Sequence, residues 1–283
     1  VKPNGIKHPP VRGPELQVPS LAGVTTGTRK LPNRVGLHAL QGWGKSSWAA
    51  HAPSPLFLMT RGEDGLLTLI DSGQIPPTPH YAEPVSSWPA LRCALSELAL
   101  GGHKHRTFVL DTLNGAVRLI HEDVCDRHFD GKWPRFDAYG KGMALAQTEV
   151  IELTQMLDRL REKGMGILCL MHAQVRTFKN PDGHDYDRWE PVLDKQSWAI
   201  LDRWLDMILF GMFETFVDPL SKDAASKGKV KGGQHRLIMT ERHASYDAKN
   251  RHGLPEEIDG GNSAKEAWDN FVKALKNTKE KAE

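Results

Sequence analysis

The segment Ala39–Ser47, ALQGWGKSS, constrains this chain more than any other part of it. It lies between an apolar run, Arg34–Leu40, and a stretch from Ser46 to Ala52 that reads as the start of a helix. Gly44, Lys45 and Ser46 match the end of GxxxxGK[ST], the loop that wraps phosphate between a strand and a helix. Ala39 replaces the first glycine, at a turn position rather than a phosphate contact, and Gly42 adds flexibility. Glycines let backbone N–H groups turn inward, and the following helix offers unpaired N–H groups and a partial positive end to an anion. In this reading Gly42, Trp43, Gly44, Lys45, Ser46 and Ser47 cradle the phosphates. Lys45 bridges two of them, and the Ser46 hydroxyl ligates Mg²⁺. The plainer alternative is a glycine-rich strand–helix turn.

Three further side chains fit the same chemistry. Thr107–Asp111, TFVLD, is an apolar strand ending in a carboxylate. With Ser46, Asp111 would hold the magnesium water shell, although many strands end in an Asp that only caps a helix. Glu63, in MTRGEDG after the second apolar run, is placed to polarise an attacking water. Asp64 is its neighbour and competitor, and a plain surface acid is the alternative. His172 ends the strand GILCLM and could sense a terminal phosphate or serve structure alone.

Short apolar strands alternate with helical stretches, which predicts an α/β fold with a mostly parallel twisted sheet flanked by helices. Strands are expected at 34–40, 55–60, 107–110, 166–171, 207–210 and 236–240, with a further one at 244–248. Helices are expected at 88–100, 115–129, 144–163, 197–204 and 263–276. Residues 61–89, 126–142 and 173–196 read as loops, and 220–234 as a flexible basic loop. Six prolines make residues 1–32 an extended basic arm. The core then spans 33–260, and 261–283 form a C-terminal helix and tail.

Composition adds exclusions. The 283 residues are 39% hydrophobic and 25% charged, which rules out wholesale disorder, and a net charge of +2 names no partner. Basic charge is local: residues 221–254 carry eight basic side chains against three acidic. Three scattered cysteines give neither a disulfide framework nor a zinc site and fit a reducing compartment. No apolar run is long enough to span a bilayer, and the start is not a secretory signal. The chain begins at Val1 and reads as processed or truncated.

Taken in order, GWGKSSWAAHAP, FLMTRGEDGL, TFVLDTLNG, YGKG, MHAQV and YDAKNRHGLP resemble the RecA-like core ATPases, most of all the phage Sak-type single-strand annealing group. The matching segments span about residues 35–258. The resemblance implies ATP with Mg²⁺, assembly of a homo-oligomer (filament or ring) on single-stranded DNA, and a role in recombination or strand annealing. A single-strand DNA-binding protein would be a further partner, and the cytoplasm, a host's if the chain is phage-encoded, the compartment. It makes Glu63 the catalytic glutamate and His172 the counterpart of a γ-phosphate-sensing residue. Lys249 and Arg251 resemble the basic pair that such filaments offer across the subunit interface. Two stretches mixing basic and aromatic residues would face DNA: 126–142 with Lys132, Arg135 and Lys141, and 173–196 with Arg176, Lys179 and Arg188. A helicase-type motor core and a nucleotide-gated DNA-binding scaffold with little turnover are the alternatives.

Overall fold

The structure, a computed structural model, describes residues 21, 24–27, 29–218 and 229–280. It divides into two units, Val1–Lys30 and Leu31–Glu283. Most of the predicted arm lies outside the described residues; in the first unit Leu21 and Val24 are exposed. All that follows concerns the second unit.

Strands β1 (Arg34–Ala39), β2 (Pro55–Met59), β3 (Thr107–Asp111), β4 (Gly166–Phe178) and β6 (Met207–Asp218) lie in the order β2-β3-β4-β1-β6 and run parallel. Antiparallel β7 (Lys229–Met239) and β9 (Glu257–Gly261) extend the β6 edge, β5 (Tyr186–Pro191) pairs with β4, and β8 (Lys249–Asn250) with β6. The expected α/β fold with a mostly parallel central sheet is therefore present. Residues along β4 show why its run is continuously apolar. Ile167, Cys169 and Met171 enter one core, Leu168 and Leu170 the other, so both faces are covered.

Helices α3 (Trp88–Leu100), α4 (Leu113–Phe129), α5 (Trp133–Asp137), α6 (Lys141–Glu162) and α7 (Lys195–Trp204) cover the first face. Helices α1 (Lys45–Ala50), α2 (Gly65–Asp71) and α8 (Ala264–Glu280) cover the second. Local chemistry sets their ends. Ser87 caps α3 by accepting from the Ala90 amide, and Asp194 caps α7 by accepting from Gln196 and Ser197. Helix α8 packs its Trp268 and Phe271 against Trp48 of α1, with ring centroids 4.7 and 5.3 Å away.

Several expected loops are ordered elements. Residues 173–196 form a hairpin of extended β4 and β5 leading into α7, because cross-strand pairs such as Phe178 with Tyr186 pack together. Within 126–142, α4 runs to Phe129, α5 and a 3-10 turn (Ala138–Gly140) follow, and Lys141 begins α6. The buried Phe136 pins this stretch to the core. Helix α2 and strand β9 were not foreseen. Residues 229–234 of the expected basic loop belong to β7, and 220–228 lie outside the described residues. The expected strand 244–248 is a turn stacked on the core through Tyr246, followed by the short β8.

At the start of the sheet, Arg34 is bound to Asp206. The carboxylate accepts from the Arg34 amide (3.0 Å), its Nε (3.2 Å) and Nη2 (2.7 Å), and from Arg161 Nη2 (3.3 Å). Burial opposes its charge, but the Arg34 bonds and both guanidinium charges outweigh that and hold Asp206 below its usual value of 3.8. A depressed folded value contributes stability above the unfolded value that is lost as pH falls through the folded one. Asp206→Asn should thus be less stable at neutral pH. Its stability should also change less than wild type as pH drops below about 4, read by urea denaturation across pH. Parallel pH curves would exclude this coupling.

Candidate functional site

The parallel strands bring their C-terminal ends to one rim. Ala39 of β1 lies beside His172 of β4 and Gly211 of β6, and Asp111 of β3 lies beside Met59 of β2 and Leu170 of β4. Open α/β sheets place ligands at this rim. The chain leaves β1 through a turn closed by Trp43 N–H to Leu40 O (3.2 Å). Gly42 at φ 79° and Gly44 at φ 96° occupy conformations that suit glycine. Gly44 precedes α1 as its N-cap and offers no side-chain cap, and the bond from Trp48 N–H to Gly44 O leaves the amides of the first turn for a ligand.

Lys45, Ser46, Asp111, Glu63 and His172 meet here. Ser46 Oγ donates to Asp111 Oδ2 at 2.6 Å, and Lys45 Nζ to Ala39 O at 3.4 Å. Burial lowers the Lys45 pKa while Asp111 and Glu63 work the other way. Burial pushes Asp111 up to about 6, against its bond from Ser46. Glu63 Oε1 is 2.8 Å from His172 Nε2 and accepts from Thr112 Oγ1 at 3.3 Å. Burial opposes the Glu63 charge, but His172, Thr112 and Lys45 together hold its pKa below the usual range.

Of the site's other members the sequence points only to Thr112, which follows Asp111 and reads as a partner in the magnesium water network or as a plain helix cap. Thr112 both caps α4, accepting from Gly115 N–H at 3.2 Å, and reaches Glu63. Asn114 Oδ1 accepts from the His172 amide (3.2 Å), and Thr60 Oγ1 from the Thr112 amide (3.1 Å). Gly115 is required by this packing, since a Cβ there would lie 2.0 Å from Thr60 Oγ1. The segment TFVLDTLNG carried these residues, but only the fold joins them to Glu63. A cavity of about 330 Å³ opens beside Glu63, lined also by Arg61, Gly62, Asn114, Gly115 and Arg118.

Trp43 departs from its expected role. Its indole is fully buried, donates to Met212 O at 3.1 Å and packs on Gly211, where a Cβ would be 2.7 Å from its ring. Its amide closes the turn, so Trp43 anchors the loop and offers neither side chain nor N–H to a phosphate. Gly42, Gly44, Lys45, Ser46 and the half-buried Ser47 remain on the loop and the first turn of α1.

The family model described as AAA domain matches residues 31–252. The chain belongs to this family. No curated protein matches it. An AAA domain is of the P-loop NTPase type, and it implies nucleotide binding, usually with Mg²⁺. The donor set fits such a group: a lysine, unpaired first-turn amides, and a serine hydroxyl on a buried carboxylate.

The remaining expected residues of this AAA domain lie away from the phosphate loop. Lys249 and Arg251 sit at the other end of the sheet, where β8 pairs with Met207 and Ile208, roughly 13 Å along the strands. Lys249 Nζ donates to Asp202 O and Arg251 Nη2 to Arg203 O (3.2 Å), the closing carbonyls of α7. Lys132, Arg135 and Lys141 are exposed around α5 and the start of α6, with Arg135 paired to Asp130 at 3.3 Å. Trp133 and Tyr139 are exposed beside them. On the hairpin, Arg176 donates to Leu193 O (3.2 Å) and Lys179 pairs with Asp185, both exposed. Arg188 is a correction. It is 4% exposed and lies between Asp247 (3.0 Å) and Glu190 (3.2 Å), so it is a buried structural cation and not a surface contact for DNA.

Proposed function

We propose that this AAA domain is a Mg-ATP-dependent, single-stranded-DNA-binding ATPase of RecA-like type that acts in DNA recombination or strand annealing. The observation that carries the reading is the Glu63 carboxylate, held by His172 and Thr112 on the same rim as Lys45 and the Ser46–Asp111 pair. Ionised Glu63 can accept a proton from an attacking water, and its two hydrogen-bond partners fix its direction. Lys45 supplies positive charge where charge builds on the transferred group. Ser46 and Asp111 would hold Mg²⁺, which when bound neutralises phosphate charge.

The DNA part rests on position. His172 contacts Glu63 and begins the stretch of β4 that becomes the hairpin bearing Arg176 and Lys179. A change at the terminal phosphate felt by His172 would thus reach the hairpin. Lys132, Arg135 and Lys141 with exposed Trp133 and Tyr139 offer phosphate and base contacts. Lys249 and Arg251, remote from their own loop, would serve the site of a neighbouring protomer. In each protomer they must first leave the α7 carbonyls.

Steady-state hydrolysis of Mg-ATP, with and without single-stranded DNA and with Lys45→Ala as the blank, tests this. DNA-stimulated turnover that disappears in the blank is the expected result. Turnover indifferent to DNA would remove the DNA reading, and turnover surviving Lys45→Ala would remove the site.

A further inference from the structure

We propose that Arg236 is a positioning residue for the nucleotide loop, fixing the Trp43–Gly44 peptide so that the Gly44 amide faces the phosphate chain; the proposal rests on the nucleotide reading above. Arg236 is on β7, far outside the loop's own sequence. Its Nε donates to Trp43 O at 2.8 Å, its Nη1 to Asn262 O at 2.7 Å, and its guanidinium lies 5.4 Å from the Phe213 ring centroid. Its Nη2 lies 3.7 Å from where a Gly44 side chain would begin.

A trans peptide is planar, with C=O and N–H on opposite sides. Drawing Trp43 O toward β7 therefore turns the Gly44 N–H away from β7, into the loop. Gly42 and Gly44 have no side chains to hold these peptide planes, and glycine backbone reorients readily. An external brace is what such a loop lacks, and Arg236 supplies it. Two donors at fixed spacing join Trp43 O to Asn262 O at once, which a single ammonium does not reproduce. Asn262 belongs to the corner between β9 and α8, beyond the residues matched by the AAA family. That corner is closely packed: a Cβ on Gly260 would lie 2.8 Å from Arg236 Cβ. The brace itself thus lies within the matched domain, and its far anchor, the Asn262 carbonyl, lies beyond it.

Calorimetric titration of the full chain with Mg-ATP and with Mg-ADP tests this, alongside Tm, for wild type, Arg236→Ala, Arg236→Lys and Lys45→Ala. Arg236→Ala should weaken both nucleotides by about tenfold, the scale of one charge-assisted hydrogen bond. KM should rise with kcat within about threefold, and Arg236→Lys should recover only part of the affinity. Wild-type affinity in Arg236→Ala, with Lys45→Ala impaired, overturns the brace and leaves the nucleotide reading standing. A wild-type chain that binds neither nucleotide overturns both. Should Arg236→Ala not fold, Arg236→Lys decides: weaker binding at unchanged Tm supports the brace, and unchanged binding overturns it.

Discussion

Glu63→Gln is expected to lower kcat for ATP hydrolysis by about 10²- to 10⁴-fold, the usual contribution of a general base. The substitution keeps the shape of the side chain and an oxygen that can still accept from Thr112 and His172. It removes only the ability to take a proton. Nucleotide affinity should therefore change little, and single-turnover hydrolysis beside a binding titration separates the two effects. Because the Glu63 pKa is held below the usual carboxylate range, the wild-type base stays ionised through neutral pH, and its activity should fall only in acid. A variant retaining kcat within about tenfold would move the base to another group, since that loss is below what general-base removal produces.

Arg188→Ala should cost about 3–5 kcal/mol of folding stability, the cost of removing one partner of a buried ion pair. The guanidinium lies between Asp247 and Glu190. Asp247 in turn accepts from Trp198 Nε1 at 2.9 Å, and its carbonyl is 2.6 Å from His38 Nε2 on β1. Losing Arg188 leaves each of these mostly buried carboxylates with only a long contact to an exposed cation, Asp247 to Arg242 and Glu190 to Arg176, both at 3.9 Å. Lys179→Ala, at an exposed pair with Asp185, should stay within about 1 kcal/mol. Urea unfolding of the two variants makes the comparison. Equal stabilities would contradict the buried network and return Arg188 to the surface role its sequence context suggested.

That residue also shows what the sequence concealed. The parallel strands were readable because strands covered on both faces are continuous apolar runs, and the phosphate loop because its residue types follow from its chemistry. The strand YDRWEP has no such run: its inward position is filled by an arginine whose partners are distant in the chain or in the same strand. Period and composition thus gave a polar loop. Trp43 was misread for a related reason. Its place inside the loop suggested a ligand contact, yet the small Gly211 on the neighbouring strand makes room for the indole in the core. Glu63, Asp111 and His172 were each visible at a strand end, but their meeting depends on β4 lying between β3 and β1. Thr60 and Asn114 are polar residues near strand ends with no signal of their own.

The brace on the phosphate loop joins residues 193 positions apart. Strand β1, synthesised early, takes its neighbours from β4 and β6, and its loop is shaped by a residue made later still. A ribosome therefore delivers the phosphate-binding segment long before the parts that give it form. Contacts of such separation make folding slow, and they keep early apolar segments waiting for their partners. Nucleotide capture at full strength then becomes a late event in the life of the chain, because the β9–α8 corner that anchors the brace is made after every strand of the parallel sheet.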